Sequence, residues 1–164
     1  MANVISEQDI DVMVLTDTKT TRNTVAQTRH QLRILCPEHR QYYSMVKSSA
    51  SAGVTVMVHR KFADMGLVEV QPTHPALEGY VRRLEINMPA STPLEVIGVY
   101  MPSGQPGDGK IRKEIYKTVQ TALDQQQAQE GTHTVIVAGD FNATMYDHHV
   151  SGQSVAGLPL GGRT

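Results

Sequence analysis

Residues 134–143 read Thr-Val-Ile-Val-Ala-Gly-Asp-Phe-Asn-Ala, and this stretch decides how the rest of the chain is interpreted. Its β-branched first half is typical of a short strand buried on both faces. A glycine ends the run, and Asp140 and Asn142 follow. Because alternate residues of an extended chain point to the same side, both polar side chains are predicted to face one ligand. Phe141 between them is predicted to anchor the turn in the core.

A carboxylate and a carboxamide at the C-terminal edge of a strand suit one kind of ligand. Together they can hold a phosphate or a hydrated metal ion, the carboxylate through its oxygens and the amide through a neutral hydrogen bond. The alternative is an ordinary turn at the end of a strand, since Gly, Asp and Asn are the usual turn residues. The spacing by itself favours the ordinary turn, and the rest of the chain changes that interpretation.

Composition excludes several classes of protein. The chain has 164 residues, 40% hydrophobic and 19% charged, which is typical of a globular domain with a sizeable core. The net charge is −1, so contact with nucleic acid would have to come from a local basic patch. A single cysteine, Cys36, excludes an internal disulfide and a cysteine-based zinc site. No signal peptide or membrane helix is predicted, so we expect a soluble intracellular protein.

A second carboxylate follows a second apolar run. Residues 11–16 predict a buried strand that ends at Asp17. Residues 21–36 then change to a helical pattern that Pro37 stops. The predicted apolar stripe of this helix consists of Val25, Leu32 and Leu35. Asp17 is therefore a candidate ligand at the strand's edge, a candidate cap of the helix that follows, or both.

The middle of the chain is predicted to be rich in strands. Residues 41–52 are polar and small, with a loop expected over residues 48–52. Strands are predicted at residues 53–59, 67–70, 81–87 and 94–101, the last two as antiparallel neighbours. An amphipathic helix capped near Asp108 is predicted from Ile111 to Gln126. This order of elements indicates a mixed α/β sheet rather than a purely parallel one.

Four segments together resemble the endonuclease/exonuclease/phosphatase family of metal-dependent phosphoesterases. They are residues 137–143 with the Gly-Asp-Phe-Asn signature, residues 11–19, residues 53–58, and residues 94–102, which end in Val-Tyr-Met-Pro. Their order and relative spacing agree with the family, and the resemblance covers residues 11–146. Within the family, the Ala143 ending is most similar to the endonuclease domain of non-LTR retroelements.

The resemblance implies a fold and a division of the chain. The implied fold class is α/β (α+β), a four-layer α/β sandwich with two mixed β-sheets flanked by helices, here incomplete. Residues 1–150 would form the partial endonuclease/exonuclease/phosphatase domain. Residues 151–164, which contain Gly, Ser and Pro, would form a tail.

The resemblance also implies hydrolysis of a phosphoester with Mg²⁺ or Mn²⁺. By position, Asp17 would be the metal ligand and Tyr100 would contact the scissile phosphate. Asp140 would orient or deprotonate the attacking water, and Asn142 would help to hold that water and the phosphate. Lys19 is a candidate phosphate contact, with a solvated helix face as the alternative. Such a cation stabilises charge on phosphoryl oxygens and lowers the pKa of bound water.

Three departures from the family pattern leave the activity of this polypeptide open. The family's acidic metal ligand is glutamate, whereas Asp17 is one methylene shorter. The family's early strand with a metal-binding asparagine has no match, since Asn3 lies in no similar context. No Ser-Asp-His-type motif follows Asn142. We therefore expect a chain that is truncated at both ends relative to the family.

Three functions follow from these observations. The first is a DNA endonuclease of retroelement type, nuclear or cytoplasmic, in a larger polyprotein with a reverse transcriptase. The second is a phosphatase or phosphodiesterase acting on a small or lipid phosphoester. The third is an inactive fragment or binding module. The run Asp147-His148-His149 could replace the missing histidine or belong to a different phosphoesterase motif, but a polar loop is the favoured interpretation because adjacent histidines point apart.

Overall fold

The computed structural model describes residues 9–48, 51–89, 91–103, 105–128 and 134–142. Seven strands lie within these ranges. They are β1 (Val12–Thr16), β2 (His39–Ser44), β3 (Val54–His59), β4 (Val68–Gln71), β5 (Val81–Ile86), β6 (Leu94–Tyr100) and β7 (Thr134–Asp140). Three α-helices accompany them, namely α1 (Val25–Leu35), α2 (Arg60–Ala63) and α3 (Gly109–Ala128), with one 3₁₀ turn at Pro75–Leu77. No helix in these ranges is long and apolar enough to cross a membrane.

The strands form two sheets. One has three strands in the order β1-β3-β2, and both of its described pairings are antiparallel. The other has four strands in the order β4-β5-β6-β7. In that sheet β5 pairs antiparallel with β4 and β6, whereas β6 and β7 are parallel. A parallel pair needs a crossover connection, and α3 lies in the chain between β6 and β7.

Because side chains alternate between the two faces of each strand, the apolar side chains form three layers. On β3, Val56 and Val58 point between the sheets and join Leu84 and Ile86 of β5 in one core cluster. Met57 points to the opposite face, where it packs with Cys36 and Leu32 beneath α1. On β6, Ile97 and Val99 form the third layer with Ile115 and Ala122 of α3. The order is therefore helix, sheet, sheet, helix, and the predicted α+β sandwich is confirmed.

The surroundings of β7 differ from the prediction. Val135 and Val137 pack against the layer under α3, but Ile136 on the opposite face is 47% exposed. The prediction that this strand is buried on both faces is therefore wrong. Phe141 is 39% exposed, so it does not anchor the turn in the core. Both differences arise because β7 is the last described strand of its sheet and has β6 as its one described partner.

Two further elements differ from the expectation. The strand β2 was not predicted, because its sequence His-Arg-Gln-Tyr-Tyr-Ser has no aliphatic residue, although Tyr43 and Ser44 are buried. The helix α1 has no fully buried residue, and Leu35 is 51% exposed, so it does not belong to the apolar stripe. The proposed tail, residues 151–164, and the Asp147-His148-His149 run lie outside the described residues.

Candidate active site

The ends of β6 and β7 place a tyrosine and a carboxylate side by side. In the parallel register Tyr100 is paired with Asp140, and strands so paired lie about 4.8 Å apart with matching side chains on the same face. The Met101 backbone N–H donates to the carbonyl of Asp140 at 2.7 Å, which continues the pairing beyond the strand. This part of the site depends on backbone hydrogen bonds rather than on a flexible loop.

Gly139 has a steric reason to be glycine. Its φ is +144°, in the region that favours a residue without Cβ. A Cβ built at this position would lie 1.9 Å from the carbonyl oxygen of Val99 on β6. The glycine of the Gly-Asp-Phe-Asn signature therefore lets β7 approach β6 closely just before Asp140.

Asn142 positions the aspartate. Its backbone N–H donates to Oδ1 of Asp140 at 2.9 Å, an Asx-type turn. Its Nδ2 donates to the carbonyl of Met101 at 2.6 Å. Its φ of +43° lies in the left-handed region, which asparagine tolerates better than most residues. The amide nitrogen that was expected to hold water and phosphate thus has a structural partner.

Asp17 comes from the other sheet. It directly follows β1 and has a φ of +52°. Its Oδ1 accepts a hydrogen bond from the buried Ala52 N–H at 3.0 Å, and the Lys19 ammonium lies 3.5 Å from Oδ2. The Lys19 N–H also donates to the Ala52 carbonyl at 2.9 Å. Asp17 is thus oriented by the loop before β3 and does not cap α1. Instead, Thr21 and Thr24 exchange two hydrogen bonds just before α1, each from a backbone N–H to the other's hydroxyl.

Gly98 brings the two sheets together near the site. A Cβ built on it would lie 2.9 Å from Val54, 3.0 Å from Val56 and 3.1 Å from Val14 of the opposite sheet. Val14 precedes Asp17 by three residues and Gly98 precedes Tyr100 by two, so this contact sets the distance across the site. The sequence analysis missed Gly98, although a glycine inside a strand pattern is a known sign of close backbone approach.

Tyr100 lies near both carboxylates. Burial is the main cause that raises its pKa above the ordinary 10.0, followed by the negative charges of Asp17 and Asp140, while the Asn142 side chain opposes the rise. Tyr100 therefore keeps its proton at neutral pH and can donate a hydrogen bond. The ends of β1, β6 and β7 thus bring Asp17, Tyr100 and Asp140 near one another.

The oxygen donors of this site fit a hard divalent cation. Asp17 and Asp140 each use Oδ1 for a backbone N–H, which leaves Oδ2 of each available, although the Lys19 ammonium lies near that of Asp17. Mg²⁺ is commonly bound by one or two carboxylates plus water and substrate oxygens. Within the described residues no group of three or more His, Cys, Asp or Glu side chains converges, so a site of the fully protein-liganded kind is not found there.

The chain shares its fold with solved phosphoesterases. It aligns with TDP2 from C. elegans at a TM-score of 0.57 and 14% identity, covering 87% of this chain and 41% of that one. It aligns with D. rerio TDP2 complexed with a single-strand DNA product at 0.53 and 16%, covering 97% and 57%. It aligns with ANGEL2, a 2′,3′-cyclic phosphatase, at 0.55 and 14%, covering 88% and 42%.

TDP2 and ANGEL2 are members of the endonuclease/exonuclease/phosphatase superfamily. At these identities the similarity establishes the fold, and it agrees with the family that the four sequence segments resemble. No protein-family model matches the chain, and no curated protein matches it in sequence. The chain spans only 41% to 57% of the length of these structures.

Proposed function

We propose that this protein hydrolyses phosphodiester bonds with the help of Mg²⁺ or Mn²⁺. The observation that carries the proposal is that Tyr100 pairs with Asp140 at the ends of β6 and β7 and lies near enough to Asp17, which follows β1 of the other sheet, for both negative charges to raise its pKa. Asp17 would hold the cation through Oδ2, and Oδ2 of Asp140 stays free to act on the attacking water. The cation, when bound, supplies charge neutralisation at the phosphoryl oxygens and acidifies a bound water.

Each residue then has a defined role. Asp140, oriented by the Asn142 N–H, accepts a proton from the attacking water through its carboxylate. Tyr100 donates its hydroxyl proton in a hydrogen bond to a non-bridging phosphoryl oxygen, where negative charge develops in the transition state. Lys19 lies at the rim with its side chain half exposed and offers a cationic contact for the phosphate.

We further propose that the substrate is DNA and that the protein is an endonuclease of retroelement type. The Gly-Asp-Phe-Asn-Ala sequence at residues 139–143 and its similarity to such domains support this assignment. The DNA product bound to D. rerio TDP2 supports a nucleic acid as the substrate of this fold. An intracellular location and a polyprotein that also contains a reverse transcriptase belong to the same proposal.

The test is nicking of supercoiled plasmid by the purified chain with Mg²⁺ or Mn²⁺. Asp140→Ala is expected to lower the nicking rate about 10²- to 10⁴-fold, and a chelator is expected to abolish it. Asp124→Asn removes an exposed carboxylate on α3, far from the site, and should retain the wild-type rate. A chain that circular dichroism shows to be folded, yet that nicks no plasmid, would contradict the proposal. Cleavage of a 2′,3′-cyclic nucleotide by that chain would then favour a small phosphoester instead.

A further inference from the structure

A cavity rich in arginine lies at the other end of the three-stranded sheet. Its volume is about 400 Å³, and its walls include Arg29, Arg33, Arg40 and Arg60 together with His39 and Tyr42. Two of the arginines belong to α1, one to β2 and one to α2. We call this set of four side chains the arginine pocket. It shares no residue with the candidate active site.

The register shows how far apart the two sites are. Asp17 follows Thr16, which pairs with Val54 at one end of β1 and β3. The arginine pocket lies where β1 begins, because His39 pairs with His59 at that end of the sheet and Arg60 follows directly. The five residues of β1 span roughly 17 Å, so a ligand that occupies both sites must be extended.

Asp64 holds two of the arginines in a defined arrangement. Arg40 donates to it through Nε, and Arg60 donates to its other oxygen through Nε at 3.0 Å. These two guanidinium groups hold the pKa of Asp64 below its ordinary value, Arg60 more than Arg40. A guanidinium has five N–H donors, and within the described residues the terminal Nη groups of both arginines are left for a ligand.

The other two arginines lie one helical turn apart. Arg29 and Arg33 are four residues apart on α1, so they lie on the same face of the helix. The Arg29 guanidinium lies over the ring of Tyr43 at 5.8 Å. Within the described residues neither arginine forms an ion pair with a carboxylate. Of the acids at this end of the sheet, Asp64 is shared between Arg40 and Arg60 and Asp11 pairs with Lys61, so neither neutralises Arg29 or Arg33.

Basic side chains continue from the arginine pocket towards the candidate active site. Residues 18–37 contain no Asp or Glu but include Lys19 and Arg22 before α1. A second cavity of about 320 Å³ near the start of α1 is lined in part by Arg22 and Lys47, with Glu78 as its acidic residue. The eleven residues of α1 bridge about 16 Å. This local charge contrasts with the chain's net charge of −1.

We propose that the arginine pocket binds backbone phosphate of a nucleic-acid strand that extends along α1 from the candidate active site. Arginine suits this role because its planar fork donates two hydrogen bonds to phosphate oxygens at once. Tyr42 in the cavity wall offers a ring on which a base can stack, as in other single-strand sites. Neighbouring phosphates advance about 3.4 Å along the axis in one strand of a duplex and lie farther apart in an extended single strand, so about five nucleotides at most cover the 16 Å of α1.

The identity of the ligand as nucleic acid rests on the proposed function, whereas the pocket's affinity for phosphate rests on its own geometry. Binding is therefore measured without hydrolysis, in chelator, by fluorescence anisotropy of a labelled 12-nucleotide single-stranded DNA. The test variant is Arg33→Gln/Arg60→Gln. The matched control is Lys113→Gln/Lys117→Gln, which removes the same charge from exposed positions on α3, on the opposite side of the sandwich.

The test variant is expected to bind the 12-mer about tenfold more weakly at low salt. The slope of log affinity against log salt should shrink by about 1.4, which corresponds to two lost phosphate contacts on a single strand. The control should stay within about twofold of the wild type. Circular dichroism confirms that both variants are folded before binding is compared.

Two results would overturn the proposal. If both double variants lose affinity equally, binding of the 12-mer depends only on the net charge of the protein, and the arginine pocket is not a binding site. If neither loses affinity but pyrophosphate raises the melting temperature of the wild type and not of the test variant, the ligand is a small phosphate. Pocket-dependent binding of the 12-mer by a chain that nicks no DNA would contradict the proposed hydrolysis alone.

Discussion

The neighbouring strands β6 and β7 hold two parts of the candidate site in very different surroundings. On β6, Ile97 and Val99 are fully buried against α3 while Val96 packs between the sheets with 1% exposure. On β7, Ile136 is 47% exposed although it belongs to the same sheet. The interior strand thus fixes the position of Tyr100 from both faces. Among the described strands β7 is the outermost of its sheet, and Asp140 at its end is exposed, where substrate can reach it.

The comparison shows that Tyr100 and Asp140 are held in place in different ways. Tyr100 is fixed by the packing of the whole sandwich, and its backbone N–H donates to the carbonyl of Tyr80 at 2.8 Å. Asp140 is fixed locally, by the Asn142 N–H and by the close approach that Gly139 permits. Changes in β6 should therefore lower stability, whereas changes at the end of β7 should lower activity first.

The largest expected effect on stability comes from one substitution made on each strand. Ile97→Ala removes a fully buried side chain and leaves a cavity, which should lower the free energy of unfolding by about 2–5 kcal/mol. Ile136→Ala removes a side chain that is half exposed, and the loss should stay below about 1 kcal/mol. Urea unfolding of both variants measures the difference. Equal losses would mean that Ile136 is covered in solution and that β7 is not exposed on that face.

The same contrast explains which parts of the fold the sequence could predict. Continuous apolar runs predicted β3 and β6 because both faces of these strands are buried. The apolar run of residues 134–138 has the same composition, yet one face of β7 is exposed. The run's composition therefore does not distinguish an interior strand from an edge strand, since neighbours far away in the chain decide this. The strand β2 was not predicted for a related reason: a strand at the edge of a sheet that is only half buried needs few apolar residues, so its sequence gives no apolar pattern.

The candidate site was predictable where a residue ends a strand. Asp17 follows one apolar run directly and Asp140 ends another, whereas Tyr100 was a candidate only through the resemblance to the family. The contacts that orient them were not predictable, because Ala52 and Gly98 act through loops and sheet packing far from the motif in sequence. The arginine pocket was also not predictable, because its four arginines lie up to 31 residues apart in the sequence.

A smaller effect on stability is expected from a substitution at the point where β7 approaches β6 most closely. Gly139→Ala places a Cβ against the Val99 carbonyl and strains a backbone with a φ of +144°. Because β7 is the outer described strand, it can move away, so the cost should be about 1–3 kcal/mol. That movement displaces Asp140 from Tyr100, so nicking should fall more than stability does. Gly66→Ala is the control, because its φ is +72° and nothing lies within 4 Å of its added Cβ. Wild-type nicking by folded Gly139→Ala would show that the strands need not approach so closely.

The next effect in size concerns Tyr100 alone. Tyr100→Phe keeps the ring at the end of β6 and should change the free energy of unfolding by less than about 1 kcal/mol. If the hydroxyl donates to the phosphate, the nicking rate should fall about 10²-fold, as for the loss of one preorganised donor. Tyr116→Phe, on an exposed face of α3, serves as the control and should leave the rate unchanged. A Tyr100→Phe protein with the wild-type rate would remove the hydroxyl from the mechanism.

The smallest effect is a difference in the pH dependence of stability between the wild type and Tyr100→Phe. The pKa of Tyr100 is raised above 10.0 in the folded state by burial and by the charges of Asp17 and Asp140. The unfolded chain therefore loses this proton first as pH rises, and the stabilisation that is complete below pH 10 is lost as pH rises through the folded-state pKa. Unfolding of the wild type between about pH 9 and pH 11 should accordingly show a steeper loss of stability than unfolding of Tyr100→Phe. Parallel curves would mean that neither burial nor the charges of Asp17 and Asp140 raise the pKa of Tyr100 in the folded protein.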